Sequence, residues 1–113
     1  MAASEFLEAL RSAFEVELSV KKLGNWTSRP VWFVVDGSTI CLLPVNGTDT
    51  KWYKHVTTDP QIELSVRGKK VRGEARQVSD DKKLADIISR FQSKYGDLKK
   101  YYRKLDIAIA ITL

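Results

Sequence analysis

The pattern of apolar and polar positions changes several times along the chain, and each change marks a predicted element. Apolar residues at helical spacing, behind Ser4 as a possible cap, predict a helix over residues 4–13. From Phe14 onward apolar and polar residues alternate, which predicts a half-buried strand over 14–22. Gly24-Asn25 then indicates a turn or loop over 23–28.

A second set of strands is predicted in the middle of the chain. Residues 29–35 are rich in β-branched and aromatic side chains, and Pro30 is tolerated near a strand start. Asp36-Gly37 predicts a tight hairpin turn, because glycine readily adopts a positive φ, and residues 38–43 form the return strand. A polar turn follows, and then a short helix over 51–57 that Asp59-Pro60 ends.

The last part of the chain predicts one more hairpin, the longest helix and a final strand. Alternation over 61–66 and 71–76 flanks the basic turn 67–70, and residues 79–81 open a helix with one apolar face. Residues 107–113 are apolar on both faces, so this strand is expected to be central or covered. The pattern therefore predicts an α+β, mainly β fold: a six-stranded antiparallel barrel with flanking helices.

Composition narrows the functional classes only moderately. The 113 residues are expected to form a single domain, 1–113, and the net charge of +5 favours anionic partners in general. One cysteine, Cys41, excludes an intrachain disulfide, and with only one histidine a metal site is not expected. The first residues lack a signal-peptide pattern and no apolar run reaches the ~20 residues of a membrane span, so we expect a cytoplasmic protein without a membrane partner.

The stretch 42–55 is the strongest candidate for an anion site. It runs from a buried strand through a polar turn into a helix start, where free backbone N–H groups bind anions. Arg29 and Lys51 are the candidate cations for a phosphate, and solvated surface charges are the alternative for both. The hydroxyls of Thr48 and Thr50 could serve the same anion, and for Thr50 helix capping is an equally good role.

Three segments, taken in their order along the chain, resemble segments of a known protein family. Residues 28–37 (Ser-Arg-Pro-Val-Trp-Phe-Val-Val-Asp-Gly), 50–56 (Thr-Lys-Trp-Tyr-Lys-His-Val) and 59–64 (Asp-Pro-Gln-Ile-Glu-Leu) are similar to segments of the split β-barrel flavin-binding proteins, the pyridoxamine 5'-phosphate oxidase-like group. Within that group the chain most resembles the deazaflavin-dependent nitroreductase-like branch. The similarity extends from about residue 15 to the C-terminus.

This resemblance implies a cofactor and a reaction class. The cofactor would be FMN or the deazaflavin coenzyme F-420, and the protein a homodimeric reductase or oxidase that passes hydride to a quinone, a nitro compound or a similar small acceptor. Asn46-Gly47 would bring backbone N–H groups to the edge of the cofactor ring, and Tyr53 is a candidate proton donor. The cofactor-binding residues implied are Arg29, Pro30, Val31, Trp32, Val45, Asn46, Gly47, Thr48, Thr50, Lys51 and Trp52.

Two other functions fit the same sequence. The protein could bind its cofactor without turnover, as a sequestering or sensing module. Alternatively, a small basic barrel with exposed aromatic residues could bind nucleic acid, although acidic residues are scattered among the basic ones. Trp26, in the predicted loop, is a candidate for stacking on a ring system or on a dimer partner. The basic residues in question are Lys21, Lys22, Arg67, Lys69, Lys70 and Arg72.

Overall fold

The computed structural model describes residues 3–112, so Leu113 of the predicted last strand lies outside it. Three α-helices, one short 3-10 helix and seven strands occur in this range. In chain order they are α1 (Ala3–Arg11), β1 (Val16–Lys22), β2 (Asn25–Val31), β3 (Phe33–Asp36), β4 (Thr39–Leu42), the 3-10 turn (Gly47–Asp49), α2 (Lys51–Thr58), β5 (Gln61–Val66), β6 (Lys69–Val78), α3 (Asp81–Tyr95) and β7 (Ala108–Thr112).

All strand pairs are antiparallel, in the order β2-β1-β5-β6-β7-β4-β3. The edge strands β2 and β3 are consecutive in the chain, and a single residue, Trp32, joins them. The sheet therefore curls until its two edges meet at Trp32, which makes it the predicted split barrel. Its ten-residue strand β6 takes part in both halves, since Lys69–Glu74 pairs with β5 and Ala75–Val78 pairs with β7.

The seven observed strands differ from the predicted six in two places, of which the second changes the count. The expected loop at 23–28 is only a two-residue turn at Leu23-Gly24, both with positive φ, and residues 25–28 belong to β2. The expected single strand over 29–35 is broken at Trp32, so its first part completes β2 and its second part forms β3. Pattern reasoning missed residues 25–28 of β2, because the residues of this edge strand are half-buried or exposed and form no apolar face.

Two other predictions of the fold are confirmed, the hairpin turn at 36–37 and the buried last strand. Asp36 pairs with Thr39 across the turn at Gly37, which has a φ of 62°. The apolar strand β7 lies between β6 and β4, and its residues 108–111 are buried. The described residues contain no helix that is long and apolar enough to span a membrane.

Two apolar clusters hold the sheet from opposite sides. The larger one fills the interior of the curl and includes Phe6, Leu18 and Leu42. The second lies between the sheet and α3, and includes Cys41 and Phe91. The run 40–43 is continuously apolar because its alternate residues enter the two clusters, as in a strand covered on both faces.

Helix α3 is capped at its N-terminus and is attached to the barrel at its C-terminus. The carboxylate of Asp80 accepts a hydrogen bond from the backbone N–H of Lys83, which caps the N-terminus. At the other end Tyr95 reaches the junction of the two sheet edges: its hydroxyl accepts from the backbone N–H of Phe33 at 3.0 Å and lies 2.8 Å from the carbonyl of Phe14. The helix therefore packs across the split side of the barrel, where a site can form.

Candidate functional site

An aromatic cleft of about 390 Å³ opens beside the junction of β2 and β3. Its size falls within the range of small-molecule pockets, roughly 300 to 1,000 Å³. It contains one cation, one carboxylate and four aromatic side chains. The lining residues are Glu15, Arg29, Pro30, Val31, Trp32, Leu43, Val45, Thr50, Trp52, Tyr101 and Tyr102.

Arg29 enters this cleft because of its register on an edge strand. It pairs with Leu18 of β1, and its neighbours Thr27 and Val31 pair with Val20 and Val16, all three β1 partners being buried. Residues directly opposite each other in an antiparallel pair share a face of the sheet, so Arg29 lies on the core-facing side. Since no strand flanks β2 on its other side, the guanidinium extends from the core face into the open split.

The guanidinium of Arg29 is only partly engaged by the protein. One terminal nitrogen donates to the carbonyl of Thr27 at 3.0 Å and the other to the Thr27 hydroxyl at 2.6 Å. No carboxylate within residues 3–112 forms an ion pair with it. Burial lowers its pKa, but arginine stays protonated in proteins. Three of its five N–H donors remain available to an anion beyond the two that Thr27 accepts.

The aromatic wall of the cleft is built around Trp32. Its ring is stacked on Tyr95 with centroids 4.2 Å apart and planes 4° from parallel. Tyr101 packs against the same ring at 4.9 Å, and Tyr102 at 6.1 Å. Because Tyr95 is itself held by the backbone of Phe33 and Phe14, the Trp32 ring has a rigid support.

The structure separates the predicted cofactor-binding residues into two groups. Seven of them line the cleft: Arg29, Pro30, Val31, Trp32, Val45, Thr50 and Trp52. Asn46, Gly47, Thr48 and Lys51 do not line it. Lys51 is exposed at the start of α2. Tyr53, the candidate proton donor, is also outside the lining; it is buried in the interior cluster, and this burial raises its pKa.

The polar turn at 46–50 already binds a carboxylate side chain from a distant part of the same chain. The carboxylate of Asp106 accepts from the backbone N–H of Thr48 at 3.1 Å and from its hydroxyl at 2.9 Å. Lys104 lies 3.5 Å from the same carboxylate. Burial opposes ionisation of Asp106, but the Thr48 hydrogen bonds and the Lys104 charge outweigh it, so the pKa is lowered. A second anion at Thr48 would meet this negative charge.

Thr50 has a role that the sequence did not indicate. It is the N-cap residue of α2 by position, yet its side chain makes no capping hydrogen bond. Its buried hydroxyl instead accepts from the backbone N–H of Asn46 at 2.8 Å, which closes the turn. Together with the bond from the Arg103 N–H to the Val45 carbonyl, this fixes the segment that brings Val45 and Thr50 to the cleft.

Four lining residues were not predicted as site residues: Glu15, Leu43, Tyr101 and Tyr102. Tyr101 and Tyr102 are about 70 residues from Trp32 in the chain, so no local pattern reveals that their rings lie beside it.

A larger cavity of about 670 Å³ lies elsewhere, beside the first turns of α3. It is lined by acidic and basic residues in similar numbers, including Asp80, Asp86, Lys82 and Lys83, and by no aromatic ring. Asp80 is already used as the helix cap, and Asp86 pairs with Arg90 at 2.9 Å. The smaller aromatic cleft is therefore the better candidate for an organic ligand.

The basic residues suggested for nucleic acid binding are largely engaged with neighbours. Glu63 pairs with both Lys70 and Arg72, and Lys21 donates to Gln61 at 3.2 Å. Trp26 lies on strand β2, outside the cleft lining, with the cations of Lys21 and Arg72 5.2 and 5.4 Å from its ring centroid. Glu63 therefore neutralises part of the charge of this surface, whereas Lys22 and Lys69 form no side-chain hydrogen bond or ion pair within residues 3–112.

Solved structures of the same fold include proteins of flavin and deazaflavin chemistry. A candidate pyridoxamine 5'-phosphate oxidase from Listeria innocua matches with a TM-score of 0.76 and 15% identity, over 97% of this chain and 91% of that one. An F420-H2-dependent reductase matches with a TM-score of 0.71 and 16% identity, over 87% and 93%. An FAD-binding protein from Mesorhizobium loti matches with a TM-score of 0.77 and 13% identity, over 100% and 88%.

These similarities confirm the split-barrel fold. No curated protein matches the sequence. A family model described as "Uncharacterized protein conserved in bacteria (DUF2255)" matches residues 6–109, and the chain belongs to this family.

Proposed function

We propose that the chain binds a flavin-type cofactor, FMN or the deazaflavin coenzyme F-420, in the aromatic cleft and acts as an oxidoreductase on a small acceptor. The observation that carries this proposal is Arg29: a half-buried guanidinium without a carboxylate partner among the described residues, facing a cleft of four aromatic rings. A phosphate-bearing planar molecule matches both features. The proteins of the same fold that use F420-H2 or bind FAD support the cofactor class.

The residues of the cleft fit such a molecule by their chemistry. Arg29 can donate a forked pair of hydrogen bonds to a phosphate. Trp32, Tyr101 and Tyr102 offer ring surface for stacking, and Leu43 and Val45 exclude water from one side. A bound flavin or deazaflavin supplies the hydride chemistry, so the protein needs to bind, orient and shield it and does not need a catalytic triad.

Within this proposal the phosphate lies at Arg29 and away from Thr48. The negative charge of Asp106 occupies the N–H and hydroxyl of Thr48, so the turn itself is a poor place for a second anion. Lys51 is exposed at the start of α2, and we expect at most a secondary, screened contribution from it.

Titration of the purified protein with FMN and with F-420, followed by cofactor and tryptophan fluorescence, tests the proposal. Replacing a charged hydrogen-bonding group costs about 1.5–3 kcal/mol, so Arg29→Gln should weaken binding about 10- to 100-fold. Lys22→Gln is the matched control, because Lys22 is exposed at the end of β1 and forms no ion pair within residues 3–112. Absence of binding to both cofactors, or an Arg29→Gln affinity equal to wild type, would refute the proposal.

Turnover separates an enzyme from a binding module. The reduced cofactor, the protein and a quinone or nitro acceptor are mixed, and reoxidation of the cofactor is followed by absorbance. We expect the protein to accelerate this reoxidation over the free cofactor. Tight binding without acceleration would instead establish the non-catalytic module.

We also propose that the chain forms a homodimer in which the second copy covers the cleft rim. Four large apolar residues are exposed in the described part of the chain, and three of them lie at this rim: Phe14, Val45 and Tyr101. Apolar surface gathered in one place indicates an interaction site. Sedimentation equilibrium should give twice the mass of one chain, and Phe14→Ser should shift the equilibrium toward the monomer; a wild-type protein that is monomeric at high concentration would refute the dimer.

A further inference from the structure

Glu15 is the one carboxylate that lines the aromatic cleft. It lies in the short connection between α1 and β1, next to Phe14. The Phe14 ring packs edge-on against Trp32 at 5.6 Å and against Tyr95 at 5.0 Å, and its carbonyl is 2.8 Å from the Tyr95 hydroxyl. These contacts fix the backbone on one side of Glu15, and β1 begins at Val16 on the other. The backbone of Glu15 is therefore held at the rim of the cleft, and its side chain is exposed there.

The charge of Glu15 is not neutralised by the protein. Within residues 3–112 no lysine or arginine forms an ion pair with it, Arg29 in the same cleft included. Its field nevertheless reaches the aromatic wall: burial raises the pKa of Tyr95 to about 12, and the charge of Glu15 contributes to the rise. The cleft thus keeps a cation and an anion apart, each available to a ligand.

The surface beside Glu15 is apolar and aromatic. Phe14 and Tyr101 are 59% and 55% exposed, and both rings contact Trp32. A planar molecule that lies between these rings and the second copy of the proposed dimer would be buried, and its substituents would lie near the Glu15 carboxylate. An anionic substituent would be repelled there, whereas a neutral hydrogen-bond donor or a cation would be favoured.

We propose that Glu15 is a specificity-determining residue: the acceptor of this site is a planar aromatic compound that is neutral or cationic, and Glu15 disfavours one with an anionic group. This inference rests on the proposed function for the identity of the cleft as a redox site. It assigns Arg29 to the anionic cofactor and Glu15 to the charge selection of the acceptor.

Binding of two anthraquinones of matched shape tests the inference without any turnover. The probes are neutral 2-(hydroxymethyl)anthraquinone and anionic anthraquinone-2-sulfonate, and their Kd values follow from quenching of tryptophan fluorescence. Arg29 attracts the sulfonate in every variant that keeps it, so the informative quantity is the change in the ratio of the two Kd values. Glu15→Gln should lower the ratio of sulfonate Kd to neutral Kd about five- to tenfold at low salt, and the change should shrink as salt rises.

Glu74→Gln is the matched control, since Glu74 is exposed on β6 and lies outside the cleft lining. Its ratio should equal that of wild type. A ratio that Glu15→Gln leaves unchanged, or a wild-type protein that binds neither probe, overturns the inference. The cofactor titration with Arg29→Gln distinguishes the two proposals. If cofactor binding depends on Arg29 but Glu15→Gln leaves the ratio of the two Kd values unchanged, only the role of Glu15 is refuted. If no cofactor binds, the proposed function is refuted.

Discussion

The Tyr95 hydroxyl joins three separate parts of the chain at the place where the barrel edges meet. It accepts from the backbone N–H of Phe33 at 3.0 Å, and the carbonyls of Phe14 and Phe33 lie 2.8 and 3.0 Å from it. Tyr95→Phe removes the hydroxyl and leaves the ring that stacks on Trp32. The substitution therefore isolates the hydrogen bonds from the aromatic packing.

The expected loss of free energy of unfolding depends on which groups keep another hydrogen-bond partner in the variant. The Phe33 carbonyl still accepts from the ammonium of Lys94 at 3.0 Å. The Phe33 N–H loses its hydroxyl partner in a residue that is 1% exposed, and a buried donor left without an acceptor costs about 1–3 kcal/mol. Phe14 is exposed, and water can replace the hydroxyl at its carbonyl. Tyr95→Phe should lower the free energy of unfolding by about 2 kcal/mol, a substantial part of the roughly 5–15 kcal/mol of a typical domain.

Urea unfolding followed by tryptophan fluorescence and by far-ultraviolet circular dichroism measures this loss. Tyr101→Phe is the matched control, because Tyr101 is exposed and its hydroxyl forms no hydrogen bond within residues 3–112. We expect the control to change stability by less than about 0.5 kcal/mol. An equally small change for Tyr95→Phe would show that the hydroxyl does not hold the junction of β2 and β3.

Three further predictions concern single residues away from the cleft. Burial lowers the pKa of Lys94 from 10.5 to about 8, so above pH 8 the unfolded state binds more protons than the folded state. The free energy of unfolding should therefore rise from pH 8 to 9 in wild type relative to Lys94→Met, as measured by urea titration at each pH. Burial raises the pKa of Cys41 to about 11, so a disulfide reagent at pH 8 should modify the native thiol at least about 100-fold more slowly than the urea-unfolded one, and equal rates would contradict its burial. Gly47 has a φ of 55°, and a Cβ there would overlap the Asp106 carboxylate, so Gly47→Ala should lower the free energy of unfolding by about 2 kcal/mol in the same urea assay. Gly37 has a φ of 62° and open space around it, so Gly37→Ala should lower it by only about 1 kcal/mol.

Site residues that lie close together in the sequence could be predicted, whereas those contributed by distant parts of the chain could not. Arg29 was predicted as a candidate cation for a phosphate, and Trp32 was implied by the family resemblance; both line the cleft. The prediction at Thr48 relied on a helix N-terminus that seemed open to an external anion. Asp106, 58 residues later, occupies that position instead, and a sequence window cannot show which distant carboxylate will do so.

The sequence by itself determined which segments become strands and helices, since alternation, helical spacing and turn residues act over a few residues. It also determined that β7 is buried on both faces, because every residue from 107 to 111 is apolar. The tertiary structure alone decided that residues 25–28 belong to strand β2, since these mostly polar residues are ordered by pairing with β1 and not by their own pattern. Curling of the sheet then brought Glu15, Arg29 and Tyr101 around one cleft, because the chain passes from one sheet edge to the other through the single residue Trp32.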